Sequence, residues 1–384
     1  MGYDKPMERR YFDWAATAIP SYSMPSSIPF GNPSSKYREG REAKAALEEA
    51  RARCAAVLEV APETLYFTSG GSESNAIVLN SLLLRKGDPA LIISAIEHPS
   101  IREQIPVLRR LGKRIVSLPP ETDGRVSGER LSEILGKAEN PRFAAIMAVN
   151  NETGALMDME TLGGILRSRG GAPVHFHCDM VQALGKIPLD LAAWDIDSAA
   201  FSAHKIGGPR GIGLLYLKKP LEVLNTGGGQ EGGIRPGTEN LAGILAFTEC
   251  AERQARRDMV KGEYKKAAGR MDRLIRGIRE IPGASPLPSC RNEGDGRYSP
   301  YILQASFKGI PGEVMVRALD DAGFAVSTGS ACSSASLKRP VLEAMGIGEQ
   351  EALQGVRFSQ GQETRDEDIE KLLAAIKEIV RRFS

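Results

Sequence analysis

Short apolar runs alternate with helical segments through most of the chain, and this alternation restricts the fold more than any other feature of the sequence. The pairs include Leu65–Thr68 followed by 73–84, 90–95 followed by 101–111, and 143–149 followed by 159–167. Strands and helices at this spacing predict a mainly parallel sheet with helices on both faces. Ligands of such sheets bind beyond the carboxyl ends of the strands, so the residues that follow each apolar run are the first candidates for a functional site.

The alternation breaks at about residue 225, where a Gly- and Pro-rich loop extends to 240. A charged helical stretch over 243–279 and a linker over 282–299 precede a second series of strands and helices. With 384 residues, the chain is long enough for two or three domains. We therefore expect a large domain over 11–255 and a smaller α/β domain over 256–384, with the N-terminal segment 1–20 packing on the small domain.

Charge is nearly balanced, with 50 basic against 48 acidic residues and a net charge of +2. This balance gives no electrostatic footprint for nucleic acid or for an anionic membrane. The N-terminal residues lack the apolar core of a signal peptide, and no run approaches the roughly 18 apolar residues of a membrane span. We therefore expect a cytoplasmic protein that binds neither nucleic acid nor a membrane.

The cysteines and histidines do not follow a metal-binding pattern. The five cysteines are widely scattered and contain no C-x-x-C pair, which favours neither a disulfide framework nor a structural zinc site. His175 and His177 would share one face of a strand, but their neighbours supply no further ligands. We therefore expect no metal ion.

One lysine stands at a turn between two apolar runs. Lys205 ends the segment FSAHK (201–205), and a Gly- and Pro-rich turn separates it from the apolar run 214–217. Partial burial between glycine-rich backbone and apolar strands favours the neutral amine, which can form an imine with an aldehyde cofactor. The alternative is an ordinary surface lysine, and the rest of the chain decides between the two.

A glycine-rich turn joins an apolar run to a helix. Gly71 and Ser72 lie in FTSGGS (67–72), where free backbone N–H groups and hydroxyls can form a phosphate cradle; a plain glycine turn is the alternative. The sequence has no Walker A motif, which argues against a nucleoside triphosphatase. Residues 227–232 match G-x-G-x-x-G, but they neither follow a strong strand nor open an obvious helix, so a dinucleotide site is not predicted.

Two further side chains follow apolar strands. His98 could stack on an aromatic cofactor and also move protons, although a lone histidine is usually structural. Asp179 ends an apolar strand 26 residues before Lys205. A buried carboxylate near an imine-forming lysine is the counter-ion that a pyridinium nitrogen requires.

The second unit contributes a thiol and a guanidinium. Cys332 lies in a loop of small residues without a core pattern, which suits a nucleophilic thiolate that approaches a bound substrate and then leaves with its product. Arg357 is a charge on a short strand, and its forked guanidinium could bind a substrate carboxylate. A salt bridge is the alternative for Arg357.

In chain order, these motifs resemble those of cysteine desulfurases of the NifS/IscS type, which belong to the class V aminotransferase group of enzymes that depend on pyridoxal 5'-phosphate (PLP). The matching segments are FDWAAT (12–17), GNPSS (31–35), TSGGSESN (68–75), EH (97–98), VNNETG (149–154), HCDMVQ (177–182), SAHK (202–205), RPGT (235–238), GSAC (329–332) and RFS (357–359). The resemblance implies the fold type I of PLP-dependent transferases, with a large PLP-binding domain and a small domain that carries the Cys332 loop.

The same resemblance assigns roles to individual residues. Lys205 would hold PLP as an imine and remove the Cα proton of the substrate, with Cys332 and His98 as the other catalytic residues. The cofactor-binding residues would be Gly71, Ser72, Ser202 and His204 at the phosphate, His98 on the ring, Asp179 at the pyridinium nitrogen, Gln182 at the phenolic oxygen, and Asn151.

The resemblance further implies a homodimer in which Thr238 reaches the phosphate bound by the other subunit. Asn151 and Arg357 would bind the carboxylate of L-cysteine. One departure is Tyr37, which stands where the family usually has a histidine after GNPSS, so a histidine has no role in that loop here.

The expected reaction converts L-cysteine to L-alanine, with the sulfur carried as a persulfide on Cys332 to an acceptor protein. That acceptor would serve iron–sulfur cluster assembly or tRNA thiolation, and the sequence does not distinguish the two. The alternatives are a selenocysteine or cystine lyase with the same fold, for which Cys332 is dispensable, and an inactive partner subunit of a sulfur-transfer complex.

Overall fold

The computed structural model describes residues 9–24, 27–329 and 338–383. The strands are β1 Arg10–Tyr11, β2 Leu65–Thr68, β3 Ala90–Ser94, β4 Arg114–Leu118, β5 Pro141–Ala145, β6 His175–Asp179, β7 Ser198–Ser202, β8 Gly213–Leu217, β9 Ala284–Leu287, β10 Ile302–Phe307, β11 Phe324–Ala325 and β12 Gly355–Ser359. The helices are α1 Arg38–Leu58, α2 Gly71–Ser81, α3 Pro99–Arg102, α4 Ile105–Arg110, α5 Gly128–Lys137, α6 Met159–Ser168, α7 Leu241–Gln254, α8 Arg257–Arg279, α9 Gly312–Asp321, α10 Pro340–Ala344, α11 Glu349–Leu353 and α12 Asp366–Phe383. Across these three ranges, no helix combines the length and the apolar character needed to cross a membrane.

Seven strands form the central sheet, in the order β2-β8-β7-β6-β5-β3-β4. Strand β8 runs antiparallel to both of its neighbours, β2 and β7, whereas the other strand pairs are parallel. The mainly parallel seven-stranded sheet expected from the sequence is confirmed.

Apolar side chains cover both faces of the central sheet. Leu91 and Ile93 of β3 belong to the same apolar cluster as Leu79 of α2, whereas Ile92 between them belongs to the cluster that includes Leu47 of α1. Because successive side chains of a strand point to opposite faces, helices pack on both sides of the sheet. Burial on both faces also explains why these strands form continuous apolar runs in the sequence.

A second sheet has the order β12-β10-β9, with antiparallel pairs, and it packs in an apolar cluster with α8, α9 and α12. The N-terminal residues reach this unit, because β1 pairs with β11 in parallel and Phe12 is buried in the same cluster. These contacts favour the expected packing of the N-terminal segment on the small domain. The boundaries 11–255 and 256–384 themselves stay a prediction.

Some element boundaries differ from those predicted. The charged stretch 243–279 is two helices, α7 and α8, rather than one. Arg256 adopts an extended backbone between them, and the Arg257 guanidinium donates to the Leu189 carbonyl at 2.7 Å. The residues around the break are good helix formers, so no local signal marks it. The linker 282–299 also contains β9, whose pairing partner β10 lies further along the chain.

Candidate active site

One cavity of about 1120 Å³ opens at the carboxyl ends of the central parallel strands. It lies between the central sheet and the second unit, because both Asp179 of β6 and Arg357 of β12 line it. Ten of the residues predicted for the site line this cavity: Gly71, Ser72, His98, Asn151, Asp179, Gln182, Ser202, His204, Lys205 and Arg357. The structure therefore brings together residues from six separate motifs of the sequence.

Lys205 lies in a 3-10 turn, Ala203–Ile206, between the antiparallel strands β7 and β8. The turn predicted from the sequence is confirmed, and the side chain is half-buried. Its amine donates to the carbonyls of Ala15 and Ala16 at 2.6 and 2.8 Å. These bonds hold Nζ in the cavity and tie the N-terminal segment to the central sheet.

The N-terminus of α2 forms one wall of the cavity. Gly70 has a φ of +155°, which favours glycine, and a Cβ added at Gly71 would lie 2.5 Å from Val181 Cγ2. Ser202, at the end of β7, lies beside these glycines, and a Cβ at Gly70 would be 3.9 Å from its hydroxyl. Exposed backbone N–H groups, close backbone approach and a hydroxyl are the features that a phosphate group requires.

His204 borders the same wall. Its Nδ1 atom lies 3.2 Å from the Thr17 hydroxyl, and burial lowers the pKa of His204 to about 4. The imidazole is therefore neutral near pH 7, and it can bind an anion only through a single N–H group.

Asp179 ends β6 with a carboxylate that is 4 % exposed. Its Oδ1 accepts from the backbone N–H of Val181 at 3.0 Å, and its Oδ2 accepts from the amide of Asn75 at 2.8 Å. Each carboxylate oxygen can accept a further bond, so Asp179 can also accept from a protonated ring nitrogen in the cavity.

His98 comes from the loop after β3. Its Nδ1 accepts from the backbone N–H of Ser100 at 3.1 Å and lies 2.9 Å from the Ser100 hydroxyl. Burial lowers the pKa of His98, although the charge of Asp179 raises it. A neutral, flat and largely buried imidazole at this place suits stacking on an aromatic ring.

Gln182 connects the cavity to a buried lysine that the sequence did not single out. The Gln182 amide donates to the Ala15 carbonyl at 2.9 Å, and its carbonyl oxygen accepts from Lys186 Nζ at 2.5 Å. Burial, together with the charge of Lys205, lowers the pKa of Lys186 to about 7. Because Lys186 occupies the carbonyl oxygen, the Gln182 amide nitrogen is the group left to donate towards a cofactor oxygen.

Arg357 is 3 % exposed and forms a salt bridge, which the sequence allowed as the alternative to a substrate contact. Its guanidinium pairs with Asp13 at 2.9 Å and donates to the Asn151 carbonyl at 2.8 Å. The buried Nε atom has no hydrogen-bond partner within the described ranges. An unsatisfied buried donor costs free energy, so this atom points to a ligand with an acceptor oxygen.

One predicted residue lies elsewhere, and another falls outside the described residues. Thr238 is exposed and does not line the cavity of its own chain. Cys332 lies in 330–337, outside the described residues, although the flanking Gly329 and Lys338 both line the cavity. Tyr37, the departure from the family motif, is 54 % exposed and is not part of the cavity wall.

Two side chains that sequence reasoning missed have long-range partners. Asn75 lies within the quoted motif TSGGSESN, but its contact with Asp179 spans 104 residues. Glu97 is fully buried beside Asp179, accepts from the Met147 backbone N–H at 2.7 Å, and has its pKa raised to about 8, chiefly by burial. Their motif neighbours could have suggested both residues, but no local pattern shows what they contact.

Comparison with known proteins identifies the family. The model of the family described as aminotransferase class-V matches residues 11–372. The chain belongs to the class-V aminotransferase family. A NifS/IcsS protein homolog from Lactobacillus delbrueckii subsp. bulgaricus is 36 % identical over 97 % of this chain and 98 % of its own length. A cysteine desulfurase IscS from Clostridium botulinum (strain Hall) is 33 % identical over 97 % of this chain and 94 % of its own length.

Solved structures agree with this assignment. A NifS-like protein superposes with a TM-score of 0.85 and 31 % identity, over 97 % of this chain and all of the other. A structure of SspA in complex with cysteine gives a TM-score of 0.75 and 29 % identity, over 91 % of this chain and 98 % of the other. As a class-V aminotransferase similar to cysteine desulfurases, the chain is a PLP-dependent enzyme.

The residues of the cavity fit PLP. An amine, Lys205, and a buried carboxylate, Asp179, line the same space, and Gly70 borders it where an added Cβ would meet only the Ser202 hydroxyl, at 3.9 Å. These groups match the aldehyde, the ring nitrogen and the phosphate of the cofactor in chemical character.

Proposed function

We propose that this class-V aminotransferase is a cysteine desulfurase that converts L-cysteine to L-alanine and transfers the sulfur, as a persulfide, to an acceptor protein. The observation that carries the proposal is that Lys205, Asp179 and Arg357 line one cavity, and that the Nε of Arg357 has no hydrogen-bond partner in the described ranges. An amino acid has an amine and a carboxylate, and this cavity offers chemistry for both. The relatives named cysteine desulfurase support L-cysteine as the substrate.

Lys205 would bind PLP covalently and later move the Cα proton. When bound, PLP supplies an electron sink that weakens the bonds around the Cα and Cβ atoms of an attached amino acid. Asp179 would hold a proton on the ring nitrogen, and the donor side of Gln182 would face the phenolic oxygen. Gly71, Ser72, Ser202 and His204 would bind the phosphate.

Arg357 and Asn151 would orient the substrate. The Nε–H group of Arg357 is available for the carboxylate, while the bonds from its other nitrogens to Asp13 and Asn151 fix the plane of the guanidinium. A donor that is already held in place would bind the carboxylate without further reorganisation and so orient Cα towards Lys205.

Cys332 would take the sulfur. Its thiolate forms a bond to the substrate sulfur while the bond between that sulfur and Cβ breaks, and Cβ then takes a proton to complete alanine. The described residues on either side of the loop, Gly329 and Lys338, both border the cavity. This position supports the proposal that the loop between them delivers Cys332 to the substrate.

The assembly and the destination of the sulfur are also proposals. We propose, on the family resemblance, a homodimer in which Thr238, which is exposed on its own chain, reaches the phosphate bound by the other subunit. A pull-down with persulfide-loaded enzyme would distinguish iron–sulfur cluster assembly from tRNA thiolation as the destination of the sulfur. The cytoplasmic location stays a prediction.

Parallel assays of L-cysteine, L-selenocysteine and L-cystine test the proposed function. We expect alanine from L-cysteine and no alanine from it in the Cys332→Ala variant. Alanine from selenocysteine or cystine alone would identify a lyase and contradict the proposal. A purified protein that binds no PLP would instead indicate an inactive partner subunit.

A further inference from the structure

A continuous chain of buried hydrogen bonds leads away from Asp179 through the central sheet. The Asn75 amide donates to Asp179 Oδ2 at 2.8 Å, and the Asn75 carbonyl oxygen lies 3.0 Å from His177 Nε2. His177 Nδ1 lies 2.8 Å from the Ser198 hydroxyl, which in turn lies 2.7 Å from His175 Nε2. Asn75, His177 and Ser198 are fully buried.

The donor and the acceptor of every hydrogen bond in this chain follow from the carboxylate of Asp179 at its end. An ionised Asp179 can only accept, so the Asn75 amide nitrogen faces it and the Asn75 oxygen faces His177. His177 must then carry its proton on Nε2.

The remaining two bonds follow in the same way. A neutral His177 has only a lone pair left on Nδ1, so it accepts from the Ser198 hydroxyl. The single Ser198 proton is thereby used, and His175 must donate to Ser198 from its own Nε2.

A branch of the chain reaches His98. The Asn75 amide nitrogen also donates to the Ser100 hydroxyl at 2.8 Å. The Ser100 backbone N–H can only donate, so His98 Nδ1 must accept from it and carry no proton. One amide group therefore contacts Asp179 directly and His98 through Ser100.

The surroundings of His175 and His177 keep both imidazoles neutral. Burial lowers the pKa of His175 and of His177 to about 3. The charges of Arg85 and Arg167 lower the pKa of His175 further, and Phe143 stacks on both imidazoles. A neutral imidazole has one donor and one acceptor, which a directed chain requires.

We propose that Asn75, His177, Ser198 and His175 are positioning residues, and that their one-way chain of hydrogen bonds fixes the Asp179 carboxylate, while Asn75 also holds the Ser100 hydroxyl beside His98. The inference rests on the proposed function, because it takes Asp179 and His98 as the ring contacts. None of the four residues needs to touch the substrate. We expect Asn75 to have the largest effect of the four, because it contacts both Asp179 and the Ser100 hydroxyl beside His98.

Histidine-labelled holoenzyme offers a direct test, since the chain has only four histidines. We expect heteronuclear NMR to show His98, His175 and His177 as neutral imidazoles with the proton on Nε2. A proton on Nδ1 of His177, or a doubly protonated His177 at pH 7, would overturn the proposal. The measurement uses the unaltered protein, so a variant that fails to fold cannot obscure it.

Substitutions test whether the effect on PLP binding falls with distance from Asp179 along the hydrogen-bond chain. Asn75→Ala removes a donor from a buried carboxylate, and we expect PLP to dissociate about 10- to 100-fold faster, with a changed pH dependence of its visible absorption. Ser198→Ala lies two bonds further away and should speed dissociation only a few-fold. Thr248→Val is the control, because it removes a fully buried hydroxyl of α7 that bonds to the Ile244 carbonyl.

The outcomes separate this proposal from the proposed function. Equal PLP dissociation rates and equal spectra in Asn75→Ala and Thr248→Val would refute the role of the chain, even if the wild type releases alanine from cysteine. A wild type that shows the expected histidine tautomers but releases no alanine would refute the proposed function and leave the hydrogen-bond chain intact.

Discussion

Replacing Arg357 with glutamine should weaken the binding of L-cysteine far more than the binding of an amine without a carboxylate. The buried Nε–H has no protein partner in the described ranges, and the guanidinium is held in place by Asp13 and the Asn151 carbonyl. A charge-assisted hydrogen bond from Nε to the substrate carboxylate contributes about 1.5 to 3 kcal/mol. The expected loss is therefore about 1.5 to 3 kcal/mol, or about 10- to 150-fold in affinity.

The assay compares L-cysteine with cysteamine, which has the same amine and thiol but no carboxylate. Binding of each ligand is followed by the change in the visible absorption of the bound cofactor. We expect Arg357→Gln to lose affinity for L-cysteine only, because cysteamine makes no use of the guanidinium.

The control is Asp13→Asn, which removes the charge that pairs with Arg357 but keeps the donor for the substrate. It should retain most of the discrimination between the two ligands. Equal losses for L-cysteine and cysteamine in Arg357→Gln would show that Arg357 only supports the fold of the site, and would refute the assigned role.

Three further predictions concern the other groups of the cavity. Lys205→Ala should abolish alanine formation and leave PLP non-covalently bound, so that reduction with borohydride, followed by denaturation and dialysis, leaves the label on the wild type only. Cys332→Ala should keep the visible absorption of the lysine-bound cofactor but lose turnover of L-cysteine; full activity would exclude the persulfide step. The pKa of Lys186 is about 7 in the folded protein against an ordinary 10.5, so the folded state favours the neutral amine. The free energy of unfolding of the wild type should therefore rise between pH 7 and 10.5, by at most about 5 kcal/mol more than that of Lys186→Met. Chemical denaturation at several pH values measures both proteins, and parallel profiles for the two would contradict this prediction.

Local patterns were sufficient for the sheet and for the turn that holds Lys205. Strands buried on both faces are continuous apolar runs, and the Gly-Gly-Pro sequence marks the turn between β7 and β8. Because parallel strands place their carboxyl ends at one edge, the residues after each run could be predicted to meet. The cavity contains ten predicted residues, and several of them, such as Asn151 and Gln182, were assigned through the family resemblance rather than from the strand ends.

The contacts that cross the chain could not be predicted. The pairs Asn75–Asp179 and Arg357–Asp13 are separated by 104 and 344 residues, and they form only when the sheets pack. The buried state of Lys186 likewise depends on the segment around Ala15, to which Gln182 also bonds. The break between α7 and α8 has the same origin, since a tertiary contact of Arg257 marks it rather than a helix-breaking residue.

The central claim is that residues of this cavity convert L-cysteine to L-alanine with release of sulfur. The most direct measurement incubates the PLP-loaded protein with L-cysteine and a thiol reductant, and quantifies alanine and sulfide together over many turnovers. We predict equal amounts of the two products, and neither product from Lys205→Ala. Consumption of L-cysteine without alanine, or no consumption by fully PLP-loaded wild type, would contradict the account.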